Sequence, residues 1–449
     1  MTNHDNSGGY REAGLELLSR YNISVGDSVK ITTENGEITG LVMPRYESAN
    51  EEYVVIKLKS GYNTGIHLGK IKSITKSSKV TSTLTVPYYH IPADKPKQNL
   101  PKIALISTGG TIASTIDYRT GGVHAALSAN DLYVSVPELA NHASIDPEVL
   151  MSEYSENLRP EHWTLIAEKI AEKIKTNKYR GIVVSHGTDT MHYTAAALSF
   201  ALQNLPVPVV LVGAQRSSDR PSSDAALNLL GATIFATKSE YSGVFVAMHG
   251  GTSDDIISCH RGTRVRKNHT SRRDAFESIE TTPAAFVRNN EIEMQQKDPN
   301  ELDKVFSIKP FEAKTRFENK VILLKYYPGF DPTLIEHAIN LGYRGIIIEG
   351  TGLGHVGKQC FPALKKAVGA GIMVCMTSQC IWGHVRMTVY DTGRDLLDIG
   401  VIPLSDMISE TATVKAMWAL ANSKDVEDVK RIMQENLAGE ISNIIPISG

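Results

Sequence analysis

A chain of 449 residues with 41% hydrophobic and 21% charged side chains has an ordinary globular composition, long enough for two or three domains with separate cores. Lysine and arginine total 47 against 49 acidic residues, a formal charge of −2, which excludes a chain-wide field that recruits nucleic acid or an anionic membrane. The four cysteines, Cys259, Cys360, Cys375 and Cys380, form neither a C-x-x-C pair nor a disulfide-dense pattern. With a polar opening from Met1 to Tyr10 and no apolar run near the ~20 residues of a membrane span, the expectation is a reducing cytoplasm and no membrane contact.

Residues 1–75 read as an N-terminal tail or helix followed by short strands. A strand at 29–33 leads into Asn35-Gly36, a dipeptide favoured in two-residue hairpin turns, and runs at 37–43, 53–58 and 65–68 continue the pattern. Several short strands in so little chain suggest a small closed β-barrel, suited to docking or to stiffening an assembly. Residues 76–101 hold prolines at 87, 92, 96 and 101 and four lysines against one acid, Asp94. They read as a semi-extended linker, a solvated tether whose lysines leave RNA contact open.

From residue 102 the rhythm becomes strand then helix. Apolar runs at 103–107, 182–185, 209–212 and 244–248 read as buried strands, and Trp163, Ile166, Ala167, Ile170 and Ile174 recur on one helical face. A second unit starts near Lys320, with strands at 321–324, 345–348 and 371–375. The helix between the first two opens at Asp331-Pro332 and stops at Gly342. The expected class is α/β: a small N-terminal β-barrel, then two α/β domains with largely parallel sheets at 102–310 and 311–449.

Three segments carry chemistry, and the first two follow strands, where open α/β sheets bind ligands. In Ser107-Thr-Gly-Gly-Thr-Ile-Ala-Ser114, Gly109 and Gly110 expose amide N–H groups and Thr111 presents a hydroxyl beside them, the parts of a nucleophile with an oxyanion site. A phosphate loop is excluded by the lack of G-x-G-x-x-G and of a Gly-Lys-Ser/Thr ending; taken alone, the segment also reads as an ordinary glycine turn. His186-Gly-Thr-Asp-Thr190 presents Thr188 and Asp189, the latter also a candidate helix cap. The stretch from Arg261 to Arg273 has six cations and no acid. Lys267 in it suits a proton relay with Thr188, while the arginines lie at the surface or face an anionic partner.

Thr-Gly-Gly-Thr-Ile-Ala at 108–113, His-Gly-Thr-Asp-Thr at 186–190 and the Lys267 segment, in this order, resemble the signatures of the bacterial-type L-asparaginase/glutaminase family, over the chain from Pro101 onward. The barrel ahead of them and the run Arg-Val-Arg-Lys-Asn-His-Thr-Ser-Arg-Arg are similar to an archaeal branch of that family, the GatD-type components of glutamyl-tRNA(Gln) amidotransferases. The resemblance implies an amide hydrolase in which Thr111 forms an acyl-enzyme. Thr188, Asp189 and Lys267 complete its catalytic group, with Asp189 also holding the substrate ammonium. Ser155 and Glu156 match the segment that grips the α-carboxylate and α-amino groups. Tyr118 lies on the stretch resembling a mobile lid, where it orients Thr111 or is an ordinary loop tyrosine. Glu156 stands where hydrolytic asparaginases often have glutamine, which leaves glutamine or asparagine open as donor.

The resemblance also implies that this chain binds no cofactor and that ATP and Mg serve a GatE-type transamidase partner, in a heterodimer or heterotetramer. tRNA(Gln) would be held mainly through that partner, and this subunit would form a homodimer. Gly350-Thr-Gly-Leu-Gly-His-Val356 matches a family loop that usually carries asparagines, here with His355, and no counterpart is found for the glutamate that a neighbouring subunit supplies in free enzymes. The competing readings are a free-standing asparaginase with an added barrel, and a scaffold that keeps the fold without catalysis. The presence of all four catalytic side chains argues against the scaffold.

Overall fold

Alternation along residues 28–76 puts Val29, Ile31, Val54, Ile56, Ile66 and Ile74 on one face, and all six are buried in one cluster. The computed structural model describes residues 10–34, 36–43, 52–58, 63–76, 99–109, 114–117, 122–125, 136–216, 223–295 and 309–442. In it the N-terminal strands form a five-stranded antiparallel sheet in the order 63–67, 53–58, 36–42, 28–33, 71–76. Its two edge strands, Asn63–His67 and Ile71–Lys76, are joined only by the 3-10 turn Leu68–Lys70. A flat five-stranded sheet holds its edges about 19 Å apart, which a single such turn, rising about 2 Å per residue, does not bridge. The sheet therefore curls on itself. Its two edges share no ladder among the described residues. Helix Glu12–Arg20 adds Leu18 to this core, and the Tyr10 hydroxyl ties two strands by donating to the Met43 carbonyl at 2.9 Å and accepting from the Val55 N–H at 3.0 Å.

The apolar runs beyond residue 102 are central strands buried on both faces. Ile103, Leu105, Val183 and Val210 pack on one side with helix Ala225–Lys238; Ala104, Ile106, Ile182, Val184 and Leu211 pack on the other with helices Pro160–Lys175 and Met191–Ala201. The sheet has eight strands in the order 291–294, 285–288, 257–261, 243–249, 208–212, 181–185, 102–107, 144–149. The last five are parallel; the first three extend it antiparallel.

The second sheet is parallel, in the order 321–325, 345–350, 373–378, 402–403. Its third strand begins at Met373 and not at Gly371, because Gly371 adopts φ +78 and closes the end of helix Phe361–Gly369 through its N–H to the Val368 carbonyl. Gly342, at φ +71, ends helix Thr333–Asn340 in the same way. Helix Ser409–Asn422 lies between the two units, in a shared core where Ala196, Ala197 and Phe200 meet Ala412, Ala416 and Trp418. This shared core locks the second unit against the helix that follows the 186–190 segment.

Candidate active site

The parallel register sets Ser107, Ser185, Val149 and Val212 level at the carboxyl ends of adjacent strands, so the loops that follow converge there. Thr108 is fixed by its N–H and its hydroxyl, both donating to the Ser185 carbonyl at 3.1 and 2.9 Å. Gly109, at φ +124, lies so close to the backbone of Glu153 that a Cβ there would stand 2.8 Å from its nitrogen and closer still to its carbonyl oxygen. Glycine is required by both the angle and the approach. Ser155 is buried, and its carbonyl accepts from the Thr190 hydroxyl at 2.6 Å. A Cβ on Gly187 would sit 2.9 Å from the Ser155 Oγ. The 107–109, 150–156 and 186–190 segments are thus one packed assembly, with Glu156 exposed at its surface.

Lys267 enters from a short strand, Val265–Lys267, paired antiparallel with Phe276–Ser278. Its Nζ donates to the Thr188 Oγ1 at 2.9 Å and to the Asp189 Oδ1 at 2.7 Å. The Lys267 side chain is 8% exposed and that of Asp189 66%, so the pair opens to solvent on the carboxylate side only. Three side chains as much as 79 residues apart in sequence meet within hydrogen-bond reach. The lysine can pass a proton to or from the threonine hydroxyl while the carboxylate balances its charge.

Neighbouring histidines stay uncharged. Burial holds His186 down to about 4. His192 falls to about 3 through burial first, then Arg266 and Lys267. Trp163 Nε1 donates to the Thr194 Oγ1 at 3.1 Å, and Thr194 Oγ1 lies 2.8 Å from His186 Nε2. The Gly187 carbonyl, 2.6 Å from His186 Nδ1, can only accept, which assigns the Nδ1–H tautomer; Nε2 then accepts from the Thr194 hydroxyl. Tyr193, on the same helix, is raised to about 12 by burial and by Glu410 and Glu349.

Of the residues singled out in the sequence, Thr188, Asp189 and Lys267 come together, with Ser155 against Gly187 beside them. Thr111 and Tyr118 lie outside the described residues; Gly109, two positions before Thr111, is placed. The cationic stretch is buried at 262–265, partly buried at Arg261, Arg266, Lys267 and Arg273, and exposed at 268–272. Arg264 is the most buried of its charges, 2.9 Å from the buried Asp406; Arg266 lies 2.8 Å from Glu410; Arg272 and Arg273 pair with Asp274 and Asp254. His355 makes no contact with this assembly among the described residues: its Nδ1 meets the Thr392 hydroxyl at 3.3 Å and its ring the edge of Tyr390. Gly187 and Gly213 were not singled out, although both are close-approach positions; a Cβ on Gly213 would stand 2.8 Å from the Thr188 Cγ2.

Comparison with known proteins gives three family matches. Residues 102–300 match Asparaginase, N-terminal; residues 320–433 match the Glutaminase/Asparaginase C-terminal domain; residues 23–76 match the GatD N-terminal domain. The glutamyl-tRNA(Gln) amidotransferase GatD protein of Pyrococcus abyssi is 49% identical over 95% of this chain and 97% of its own length. That of Methanopyrus kandleri is 45% identical over 96% and 94%. Among solved structures, the thermostable L-asparaginase from Thermococcus kodakarensis aligns with a TM-score of 0.69 at 33% identity, covering 76% of this chain and all of its own. L-asparaginase I from Vibrio cholerae gives 0.66 at 29%, over 77% of this chain and all of its own.

Proposed function

We propose, from the premise that this chain belongs to the GatD family of glutamyl-tRNA(Gln) amidotransferase subunits within the asparaginases, that it hydrolyses the side-chain amide of glutamine or asparagine and delivers the ammonia to a second subunit. The observation that carries the reading is Lys267 Nζ, 2.9 Å from the Thr188 hydroxyl and 2.7 Å from the Asp189 carboxylate, at the carboxyl ends of the parallel strands.

The nucleophile is the Thr111 hydroxyl. It follows Gly109, whose position against Glu153 fixes where the loop leaves its strand. The hydroxyl oxygen attacks the amide carbon, and its proton passes into the Thr188–Lys267 pair. Amide N–H groups of the glycine turn hold the developing oxyanion. The C–N bond breaks as the relay returns the proton to the leaving nitrogen, giving ammonia and an ester on Thr111. Water, deprotonated by the same pair, then attacks the ester and frees glutamate or aspartate. Asp189 also receives the substrate ammonium, Ser155 and Glu156 hold its α-carboxylate and α-amino groups, and Tyr118 orients Thr111.

Ammonia passes to a GatE-type partner, where ATP and Mg serve the activation of glutamate on tRNA(Gln). This chain, itself a homodimer in the complex, binds no cofactor. The reading is supported over a free-standing asparaginase by the match of residues 23–76, which hold the curled N-terminal sheet, to the GatD N-terminal domain. The test is ammonia release from glutamine and asparagine with and without a copurifying larger subunit and acceptor tRNA. Turnover that requires the partner supports the subunit role. Strong asparagine hydrolysis by the isolated chain defeats it.

A further inference from the structure

The cationic run around Lys267 has a geometric explanation that the hydrolytic reading does not use. A strand points alternate side chains to opposite faces. On Val265–Lys267 one face is turned to the first α/β unit: Val265 is buried in its core and Lys267 reaches Thr188 and Asp189. The opposite face is turned to the second unit. Arg264, just before the strand, lies 2.9 Å from Asp406 and donates through Nε to the Gly439 carbonyl at 2.9 Å. Arg266 Nε lies 2.8 Å from Glu410 Oε1. The Thr411 hydroxyl donates to the Thr263 carbonyl at 2.9 Å.

These contacts continue inward. The Ser409 hydroxyl lies 3.3 Å from Glu410 Oε2 and 2.5 Å from Glu349 Oε1, and Glu349 sits on an inner strand of the second sheet, Gly345–Gly350. The 263–267 segment is therefore held on one side by a helix terminus of the second unit and on the other by its own core. Only one of these attachments, the Arg266–Glu410 pair, is made by the residue next to Lys267.

We infer that Arg266 and Glu410 are positioning residues: their ion pair across the two units fixes the strand from which Lys267 reaches Thr188. The inference rests on the proposed hydrolytic role of Lys267. Neither Arg266 nor Glu410 needs to touch substrate. Their effect is on where the lysine ammonium lies, and displacements of about 1 Å in such a group can cost on the order of a hundredfold in turnover.

The experiment compares Glu410→Ala, Arg266→Met and Arg266→Lys with Lys267→Met, in the full chain copurified with its partner subunit. Ammonia release is followed against glutamine concentration and normalised to folded protein. Lys267→Met is expected to abolish release. Glu410→Ala and Arg266→Met are expected to lower kcat by about tenfold or more with KM within about twofold, since the loss falls on the transition state and not on binding. Arg266→Lys keeps a cation opposite Glu410 and should retain most of the turnover. A purely structural pair would lower the melting temperature and the folded yield but leave kcat per folded molecule unchanged, and that result overturns the inference. Should the alanine variant fail to fold, Glu410→Gln, of the same shape, is judged by the same kcat and KM division. Full activity in Lys267→Met would sink the hydrolytic reading as well, whereas loss confined to Lys267→Met sinks only the clamp.

Discussion

Replacing Gly109 by alanine separates the two demands that the site makes on that residue. Its φ of +124 is strained for any L side chain, a cost on the order of 1–3 kcal/mol. In addition the new methyl would stand 2.8 Å from the Glu153 nitrogen and nearer to its carbonyl oxygen, both backbone atoms that cannot rotate away. Restoring ordinary carbon contact distances of about 3.5 Å or more requires the two loops to part by about 1 Å. Gly243 supplies a matched control: its φ is +123, and a Cβ there meets only the Phe245 ring at 3.6 Å. Both variants should lose thermal stability, Gly243→Ala by a few degrees in melting temperature from strain alone and Gly109→Ala by more, because the clash adds to the strain. Only Gly109→Ala should also lose turnover, on the order of a hundredfold, because the opening lies between the strand end leading to Thr111 and the 153–156 segment. The assay is kcat for ammonia release set beside a melting curve for each variant. Undiminished kcat in Gly109→Ala, or an equal loss in Gly243→Ala, would refute the argument that close packing at Gly109 assembles the site.

Thr111→Ala should abolish amide hydrolysis with an unchanged circular dichroism spectrum; full activity would remove it from the nucleophile role. Asp406→Ala leaves the Arg264 guanidinium, 2% exposed, without its carboxylate, and should cost about 3–5 kcal/mol in denaturant unfolding; a change under about 1 kcal/mol would mean that the pair is not desolvated as the burial indicates. The pH dependence of stability follows from His186, held to about 4, His192, to about 3, and His260, to about 4, each below the usual 6.5. The unfolded chain binds these protons near pH 6.5 and the folded one does not. Stability is therefore whole above that pH and falls as pH drops towards 4, by up to about 1.4 kcal/mol per pH unit for each group. Unfolding midpoints at pH 7.5, 6 and 5 check this, and a flat profile would contradict it.

The parts of this fold that showed in the sequence are those whose burial leaves a pattern. Central strands such as Gly181–Ser185 and Pro208–Val212 are buried throughout and nearly all apolar because both faces are covered, and helix Pro160–Lys175 buries one face and so repeats. Helices Met191–Ala201, Ala225–Lys238 and Ser409–Asn422 left no such trace: they are buried nearly all round, so no period separates an inner from an outer face. Strand Ser144–Val149 was hidden by Pro147, which a sheet tolerates only at an edge, and this strand is the edge. The site followed the same division. Thr188, Asp189 and Lys267 were legible as chemistry on loops and strand ends. The arginines beside Lys267 were not, because their partners Asp406 and Glu410 lie 142 residues or more away and no local spacing encodes them.

Two kinds of attachment therefore converge on the 186–190 loop, and they differ in their response to protons. On one side the loop hangs from helix Pro160–Lys175 by Trp163, Thr194 and His186, a chain of neutral groups that ends on the Gly187 carbonyl. Because His186 is held to about 4, this chain keeps one tautomer throughout the range above pH 5 and cannot contribute an ionisation there. On the other side Lys267 is set by the strand whose outer face carries Arg266 against Glu410. A pH dependence of turnover above pH 5 therefore does not originate in His186. The histidine of the His-Gly-Thr-Asp-Thr segment holds the loop by geometry, accepting from the Thr194 hydroxyl and donating to the Gly187 carbonyl.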